Sequence, residues 1–94
     1  MPTFAVMCFD KPGSQALRMA TRPAHLEFAD TIRPQIIQGG ALLDEAGEMC
    51  GTLILLEAES LAAAKAINAA DPYTQAGLFE RVEVRGLRTA IGKA

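Results

Sequence analysis

Residues 49–57, MCGTLILLE, form the stretch that decides the fold. The uninterrupted apolar run at residues 53–56 predicts a central strand that is buried on both faces. Gly51, near the start of this strand, leaves space for another group to approach closely. Ser60 is a strong N-cap for the alanine-rich segment 61–69. The stretch therefore predicts a buried strand followed directly by a helix.

Toward the C-terminus, the segment Asp71-Pro72-Tyr73 ends this helix. Asp71 is expected to cap one helical turn, from Pro72 to Ala76, which Gly77 closes. Residues 79–87, FERVEVRGL, then alternate between apolar and charged side chains. Such alternation is typical of a half-exposed strand near the edge of a sheet.

Toward the N-terminus, residues 3–9, TFAVMCF, predict a strand that is apolar on both faces. Ser14 is expected to cap a short helical stretch to about Ala20, and Thr21-Arg22-Pro23 to restart the helix. Pro34 should kink this helix, and Gly39-Gly40 should end it. Residues 41–43 then predict a short strand, followed by a turn at residues 44–47.

The resulting order, β-α-β-β-α-β, is the ferredoxin-like α+β arrangement, in which two helices cover one face of an antiparallel sheet. We expect residues 1–94 to form one such domain. Two helices cover only one side of the sheet, whereas the first and third strands are apolar on both sides. A monomer would therefore expose a large apolar patch. This pattern predicts a homodimer that packs sheet against sheet, as in a dimeric α/β barrel, and leaves further assembly of the dimers open.

The composition indicates a globular protein, since half of the residues are apolar and 21% are charged. Nine basic and eleven acidic residues give a net charge of −2, and no Lys/Arg block occurs, which argues against nucleic acid as a partner. The N-terminus lacks the basic region of a signal peptide. No apolar stretch approaches the ~18–20 residues of a membrane span. We therefore expect a cytoplasmic protein with no membrane partner.

Metal and cofactor sites find little support in the sequence. Cys8 and Cys50 with a single histidine fall short of a four-ligand zinc site, and no CxxC motif occurs. Both thiols are expected to pack as small hydrophobic groups. The acidic cluster at residues 44–48 is interpreted as a solvated loop, and Gly39-Gly40 matches no phosphate-binding motif. We expect no metal and no cofactor.

His25, the single histidine, is the candidate catalytic residue. The helical period places it on one face with Phe28, Ala29, Ile32 and Ile36, so it should point toward the sheet. The helix N-terminus and burial both favour a neutral ring that can accept a proton. The alternative is a half-buried structural histidine that bonds to the backbone, which is the commoner case.

Asp71 is the candidate partner that would fix the imidazole tautomer. An Asp before Pro is also a routine N-cap, and one carboxylate can fill both roles. Arg18 and Arg22 can present guanidinium groups to an anionic substrate, although solvated surface arginines are the commoner case. Tyr73 can stack on a ligand or simply pack in the core.

Three stretches together resemble the YciI-like, or YCII-related, family. They are FDKPG at residues 9–13, LRMATRPAHLEF at 17–28, and GGALLDEAGEMCGTLILLEAESLAAAKAINAADPYTQAGLFERVEVR at 39–85. The resemblance covers the chain from about residue 3 to 88. It implies a ferredoxin-like fold, a dimer formed through the sheets, and an active site with a His–Asp pair. The family's histidine corresponds to His25 in RPAH, and its aspartate to Asp71 in ADPY.

A related dehydrochlorinase and the similar fold of muconolactone isomerase suggest proton transfer on small, ring-derived or unsaturated acids. The sequence therefore predicts a cofactor-independent lyase or isomerase, in which His25 moves a proton and Asp71 orients its ring. Gly51, Tyr73 and Phe79 are expected to line the cleft, with Arg22 near its opening. The alternative is a non-catalytic dimer that binds a small metabolite or acts as an interaction module.

Overall fold

The computed structural model describes residues 1–92 of the chain. Within this part, two longer helices, one short helix and one 3-10 turn accompany a four-stranded sheet. The elements, in chain order, are β1 (Thr3–Asp10), α1 (Gln15–Thr31), the 3-10 turn Arg33–Gln35, β2 (Ile36–Leu43), β3 (Met49–Glu57), α2 (Leu61–Ala70), α3 (Pro72–Gln75) and β4 (Phe79–Leu87).

The strands pair antiparallel in the order β2-β3-β1-β4, which confirms the ferredoxin-like fold. β3 lies between β2 and β1, as its apolar run predicted, and β4 is an edge strand. Because side chains alternate along a strand, each strand divides its residues between the helix face and the open face of the sheet.

The hydrophobic core lies between the helix face of the sheet and α2. Its buried members come from β1, β3, α2 and the link between β3 and α2, and Leu56, Val6 and Ala64 are each at most 1% exposed. Cys8 is part of this core, as expected of a thiol that packs as a small hydrophobic group. Burial on this scale stabilises a side chain such as Leu56 by roughly 1.5–3 kcal/mol relative to its exposed state.

The predicted break between two helical stretches at Thr21 is wrong, because α1 continues through Pro23 without interruption. Proline removes one backbone donor and leaves the carbonyl of the fourth residue before it unpaired, here that of Met19. Met19 is 53% exposed and Pro23 also faces solvent. Water can therefore bond the freed carbonyl, so the helix tolerates the proline.

The predicted end of the helix at Gly39-Gly40 is also wrong. α1 ends at Thr31, and Pro34 lies in the 3-10 turn that follows. β2 starts at Ile36 rather than Ala41, so both glycines belong to this strand. Pairing with β3 supplies the backbone hydrogen bonds that outweigh the poor strand propensity of glycine.

The predicted second half of the fold is confirmed almost residue by residue. Ser60 Oγ accepts a hydrogen bond from Ala63 N at 3.1 Å and so caps α2. Asp71 caps α3, and Gly77 follows it with φ of +75°, a conformation that favours glycine. Within residues 1–92, no helix is both long enough and apolar enough to cross a membrane.

Candidate active site

A cleft of about 190 Å³ separates α1 from the part of the sheet formed by β2 and β3. It exists because α1 packs chiefly against α3, while α2 covers the core farther along the sheet. The cleft is lined by residues of α1, both strands and α3, namely Arg18, Arg22, His25, Leu26, Ala29, Ile36, Gly39, Gly40, Ala41, Met49, Thr52, Ile54 and Tyr73. It therefore combines an apolar floor with a small number of polar groups.

His25 and Asp71 form a hydrogen-bonded pair at one side of this cleft. The imidazole Nδ1 lies 3.0 Å from Asp71 Oδ1 and 2.9 Å from Oδ2. The side chains are 13% and 4% exposed, so water competes little for this contact. Since the carboxylate accepts from Nδ1–H, it favours the tautomer whose Nε2 carries no proton. Nε2 makes no hydrogen bond within residues 1–92, and its ring lines the cleft.

Asp71 fills the capping role and the pairing role together. Its Oδ1 accepts a hydrogen bond from Tyr73 N at 2.9 Å, which caps α3, while both oxygens contact His25. The short helix thereby fixes the carboxylate, and the carboxylate fixes the ring. The two roles therefore coexist on one side chain.

Tyr73 packs its ring flat against His25. The two ring centroids are 4.1 Å apart and the planes meet at 18°. Phe79 approaches the same tyrosine edge-on, with centroids 6.0 Å apart. Aromatic contacts of this kind contribute about 0.5–1.5 kcal/mol beyond area burial. Tyr73 lines the cleft as predicted, whereas Phe79 supports it from behind.

Arg18 is buried, so its interpretation as a solvated surface arginine is wrong. Its side chain is 3% exposed, and its Nε and Nη2 donate to the two oxygens of Asp10 at 2.6 and 2.9 Å. Nη2 also donates to Thr52 Oγ1 at 2.8 Å, and Cζ lies 4.5 Å from the centre of the Tyr73 ring. This bidentate pair compensates the cost of burying the guanidinium.

Arg22 lies one helical turn before His25 and also lines the cleft. It is exposed and forms no ion pair within residues 1–92. No lining residue is a carboxylate. Arg22 therefore adds a positive charge to the lining of the cleft, and the Asp71 carboxylate lies beyond that lining, on His25.

Burial and these charges act on the ionisable groups around the cleft. Burial raises the pKa of Tyr73, and the positive charges of Arg18 and Arg22 oppose this rise. Burial by itself would lower the pKa of Arg18, but the hydrogen bonds and charge of Asp10 outweigh it and raise this pKa. Burial, reinforced by the negative charge of Asp71, raises the pKa of the Cys8 thiol to about 12. Cys8 therefore stays a neutral thiol.

Sequence reasoning missed the contribution of Asp10 and Thr52 to this site. Asp10 lies just beyond the predicted strand of residues 3–9, and Thr52 lies within a strand that is predicted from its apolar residues. The available signal was a hydroxyl in an otherwise apolar run that faces the helices. Gly51 does not line the cleft; the group that approaches it closely is the backbone carbonyl of Cys8.

A metal centre finds no support in the part of the chain that the structure describes. Residues 1–92 contain no group of three or more His, Cys, Asp or Glu side chains arranged to hold a metal ion. The polar side chains in and beside the cleft are those of His25, Asp71, Thr52, Tyr73 and the two arginines.

The fold of the chain is similar to those of several solved structures. The chain superposes with a TM-score of 0.87 on 5-chloro-2-hydroxyhydroquinone dehydrochlorinase from Burkholderia phenoliruptrix AC1100, which was solved with 2,5-dihydroxybenzoquinone. The two are 29% identical, over 94% of this chain and 95% of that one. A NIPSNAP family protein from Agrobacterium tumefaciens shares the fold alone, with a TM-score of 0.57, 17% identity, and coverage of 94% and 91%.

Comparison of sequences gives the family. Protein YciI from Escherichia coli O6:H1 is 34% identical over 95 aligned positions, which cover 87% of this chain and 92% of that protein. Protein YciI from Shigella flexneri matches equally well. The model of the YCII-related domain matches residues 3–88. The chain thus belongs to the YCII-related domain family, as the resemblance of its motifs predicted.

Proposed function

We propose that the cleft is the active site of a small-molecule enzyme, a lyase or isomerase, in which His25 and Asp71 transfer a proton without a cofactor. The observation that carries the proposal is the orientation of the imidazole. Its Nδ1 is held by the buried Asp71, and its Nε2 has no partner within residues 1–92. This arrangement presents an unprotonated nitrogen to a cleft of about 190 Å³.

The proposed step begins when His25 Nε2 accepts a proton from an acidic C–H or O–H group of the substrate. Asp71 stabilises the imidazolium that forms, because its carboxylate accepts from Nδ1–H. The electron pair left on the substrate either expels a leaving group, such as chloride, after which His25 releases its proton to solvent, or delocalises into an enolate. In the second case His25 returns the proton to another carbon, which gives an isomer.

Arg22 is the group we assign to substrate recognition at the opening of the cleft. Its guanidinium has no carboxylate partner within residues 1–92, so a substrate anion can bind it bidentately. Tyr73 is 1% exposed and contacts the imidazole with the face of its ring. Of the other residues predicted to contact substrate, Phe79 acts through Tyr73, and Gly51 lies outside the cleft.

The apolar part of the cleft supports a planar or ring-shaped substrate. Leu26, Ile36 and Ile54 contribute aliphatic side chains, while Gly39 and Gly40 leave the wall of β2 without any. The similarity to a dehydrochlorinase solved with a dihydroxybenzoquinone agrees with such a substrate. We therefore assign small anionic rings, either chlorinated hydroxyaromatics or unsaturated lactones, as the substrate class.

A turnover screen in heavy water tests this proposal. We expect the purified protein to release chloride from a chlorinated hydroxyaromatic, or to shift a double bond in an unsaturated lactone, as followed by mass spectrometry. Reversible abstraction from a C–H group also introduces deuterium into recovered substrate, so this route is detected even where the net conversion is small. Binding of these compounds with neither product nor deuterium uptake would instead support the non-catalytic binding module.

We further propose that the open face of the sheet forms a homodimer interface. Ala5, Met7, Leu53 and Leu55 alternate with buried core residues, so they point away from the helices. They are only partly buried in the single chain, and no helix covers them. The apolar strip continues into Phe9, over which the Arg81 guanidinium lies at 4.2 Å. A second copy would remove this surface from water.

Leu53→Asp tests the interface, because it introduces a charge at the centre of the open face. We expect the unaltered protein to sediment as a dimer and Leu53→Asp as a folded monomer, since an unpaired charge is costly in an apolar interface. Met19→Asp is the matched control, because Met19 is exposed on α1. A monomeric unaltered protein, or a Leu53→Asp variant that remains dimeric, would contradict the proposed interface.

A further inference from the structure

The ion pair between Arg18 and Asp10 connects α1 to the two inner strands of the sheet. Asp10 is the last residue of β1 and Thr52 lies in β3, and both accept hydrogen bonds from the Arg18 guanidinium. Elsewhere the cleft separates α1 from the sheet. The guanidinium is thus fixed in three hydrogen bonds by the two inner strands of the sheet.

This fixed guanidinium lies against the same tyrosine that contacts the catalytic ring. Arg18 Cζ is 4.5 Å from the centre of the Tyr73 ring, and the imidazole of His25 is 4.1 Å from it. The planar guanidinium stacks well on aromatic rings, which a lysine ammonium does not do. Contacts therefore run from the sheet through Arg18 and Tyr73 to His25.

We propose that Asp10 and Arg18 are positioning residues, which hold the Tyr73 ring flat against His25. The imidazole is then fixed at its edge by Asp71 and at its face by Tyr73. A hydrogen bond to Nδ1 alone leaves the ring free to tilt about that bond, whereas a stacked ring restricts the tilt. Catalytic groups must keep their direction to within about 10–20° to be productive, and this needs supporting residues.

The energetic character of the pair agrees with a positioning role. A buried ion pair is weak evidence for stability, because desolvation costs about as much as the attraction supplies. A bidentate Arg–carboxylate pair fixes the relative orientation of its two side chains, which an apolar pair would not do. The proposal that Asp10 and Arg18 hold the Tyr73 ring depends on this geometry alone. The effect of the ring on turnover rests on the proposed function.

The double variant Asp10→Asn/Arg18→Gln tests the proposal without leaving an unpaired buried charge. His25 is the only histidine, so its imidazole protons give a single set of NMR signals. Ring current from the stacked Tyr73 displaces these signals, and we expect the double variant to move them toward their positions in an unstructured peptide. Tyr73→Phe, which keeps an aromatic ring, should retain the displacement.

The single tyrosine provides a second spectroscopic measurement, since the chain contains no tryptophan. Arg18 opposes the rise that burial causes in the pKa of Tyr73. Removing the pair should therefore raise this pKa further, as measured by near-ultraviolet absorbance of the tyrosinate. The control, Asp30→Asn/Arg33→Gln, removes an exposed ion pair at the C-terminal end of α1 and should leave both signals in place.

Turnover gives the third measurement. We expect the double variant to lower kcat by up to roughly 10²-fold with little change in KM, because a misplaced catalytic group costs rate rather than binding. A folded double variant with unchanged imidazole signals and an unchanged Tyr73 titration would overturn the positioning role. If His25→Ala itself leaves turnover intact, the proposed function fails, and the two spectroscopic measurements still decide the proposal on Tyr73.

Discussion

His25→Ala is expected to lower kcat/KM by about 10²–10⁴-fold, the usual contribution of a positioned general acid or base. The variant removes the nitrogen that accepts the substrate proton and leaves the rest of the cleft in place. Because His25 lies at the surface of the cleft and outside the hydrophobic core, the variant should still fold. Circular dichroism and the sedimentation coefficient check this before the rate is measured.

Added imidazole should restore part of the activity of His25→Ala, since the space left by the ring can hold a free base beside the substrate. Glu27→Ala is the matched control, because Glu27 is exposed on α1 two residues away. An unchanged rate in His25→Ala would show that His25 is a structural residue. If His25→Ala loses activity because it unfolds, circular dichroism will show the unfolding.

Asp71→Asn distinguishes the two roles of Asp71 within the same experiment. Asparagine caps a helix about as well as aspartate, so α3 should persist. The amide can, however, donate to Nδ1 and stabilise the tautomer whose proton lies on Nε2, which cannot accept a substrate proton. We therefore expect a loss of rate comparable to that of His25→Ala, with an unchanged free energy of unfolding.

The sequence predicted several features that depend on local pattern, although Ser14 precedes α1 without the side-chain capping hydrogen bond expected of it. Ser60 capped α2, Asp71 capped α3, and the apolar run of β3 lay at the centre of the sheet. The exposed position of β4 at an edge followed from its alternation. Two predicted helix boundaries were wrong, the break at Thr21 and the end at Gly39-Gly40. Both predictions assumed that a proline or a glycine interrupts or ends a helix. Solvent in one case and strand pairing in the other satisfied the backbone groups concerned.

Only those contacts of the site that the family motifs imply could be predicted from the sequence. The spacing of His25 and Asp71 did not show that they meet, and the resemblance to the YCII-related family supplied the pairing. The burial of Arg18 was missed because it depends on Asp10 and Thr52, which lie on different strands. Long-range partners of this kind leave no periodic signal along the chain.

Gly51→Ala is expected to lower the free energy of unfolding by about 1–3 kcal/mol, the usual cost of overpacking a close-packed interior. A Cβ at this position would lie 2.5 Å from the backbone oxygen of Cys8, a distance that a real Cβ does not tolerate. The carbonyl belongs to the neighbouring inner strand β1, so it cannot move away without disturbing the ladder between β1 and β3. Urea denaturation measures the loss.

Gly40→Ala is the matched substitution, because a Cβ there meets no atom within 4 Å. The added methyl group restricts the unfolded chain and should leave stability unchanged or increase it slightly. Comparison of the two variants thus separates two effects on the free energy of unfolding, the backbone freedom of glycine and the steric clash at Gly51. Equal stability of the two variants would show that β1 yields to the methyl group. The expected difference would instead establish that Gly51 lacks a side chain because β1 and β3 approach each other closely there. From the sequence, Gly51 was expected to line the cleft instead.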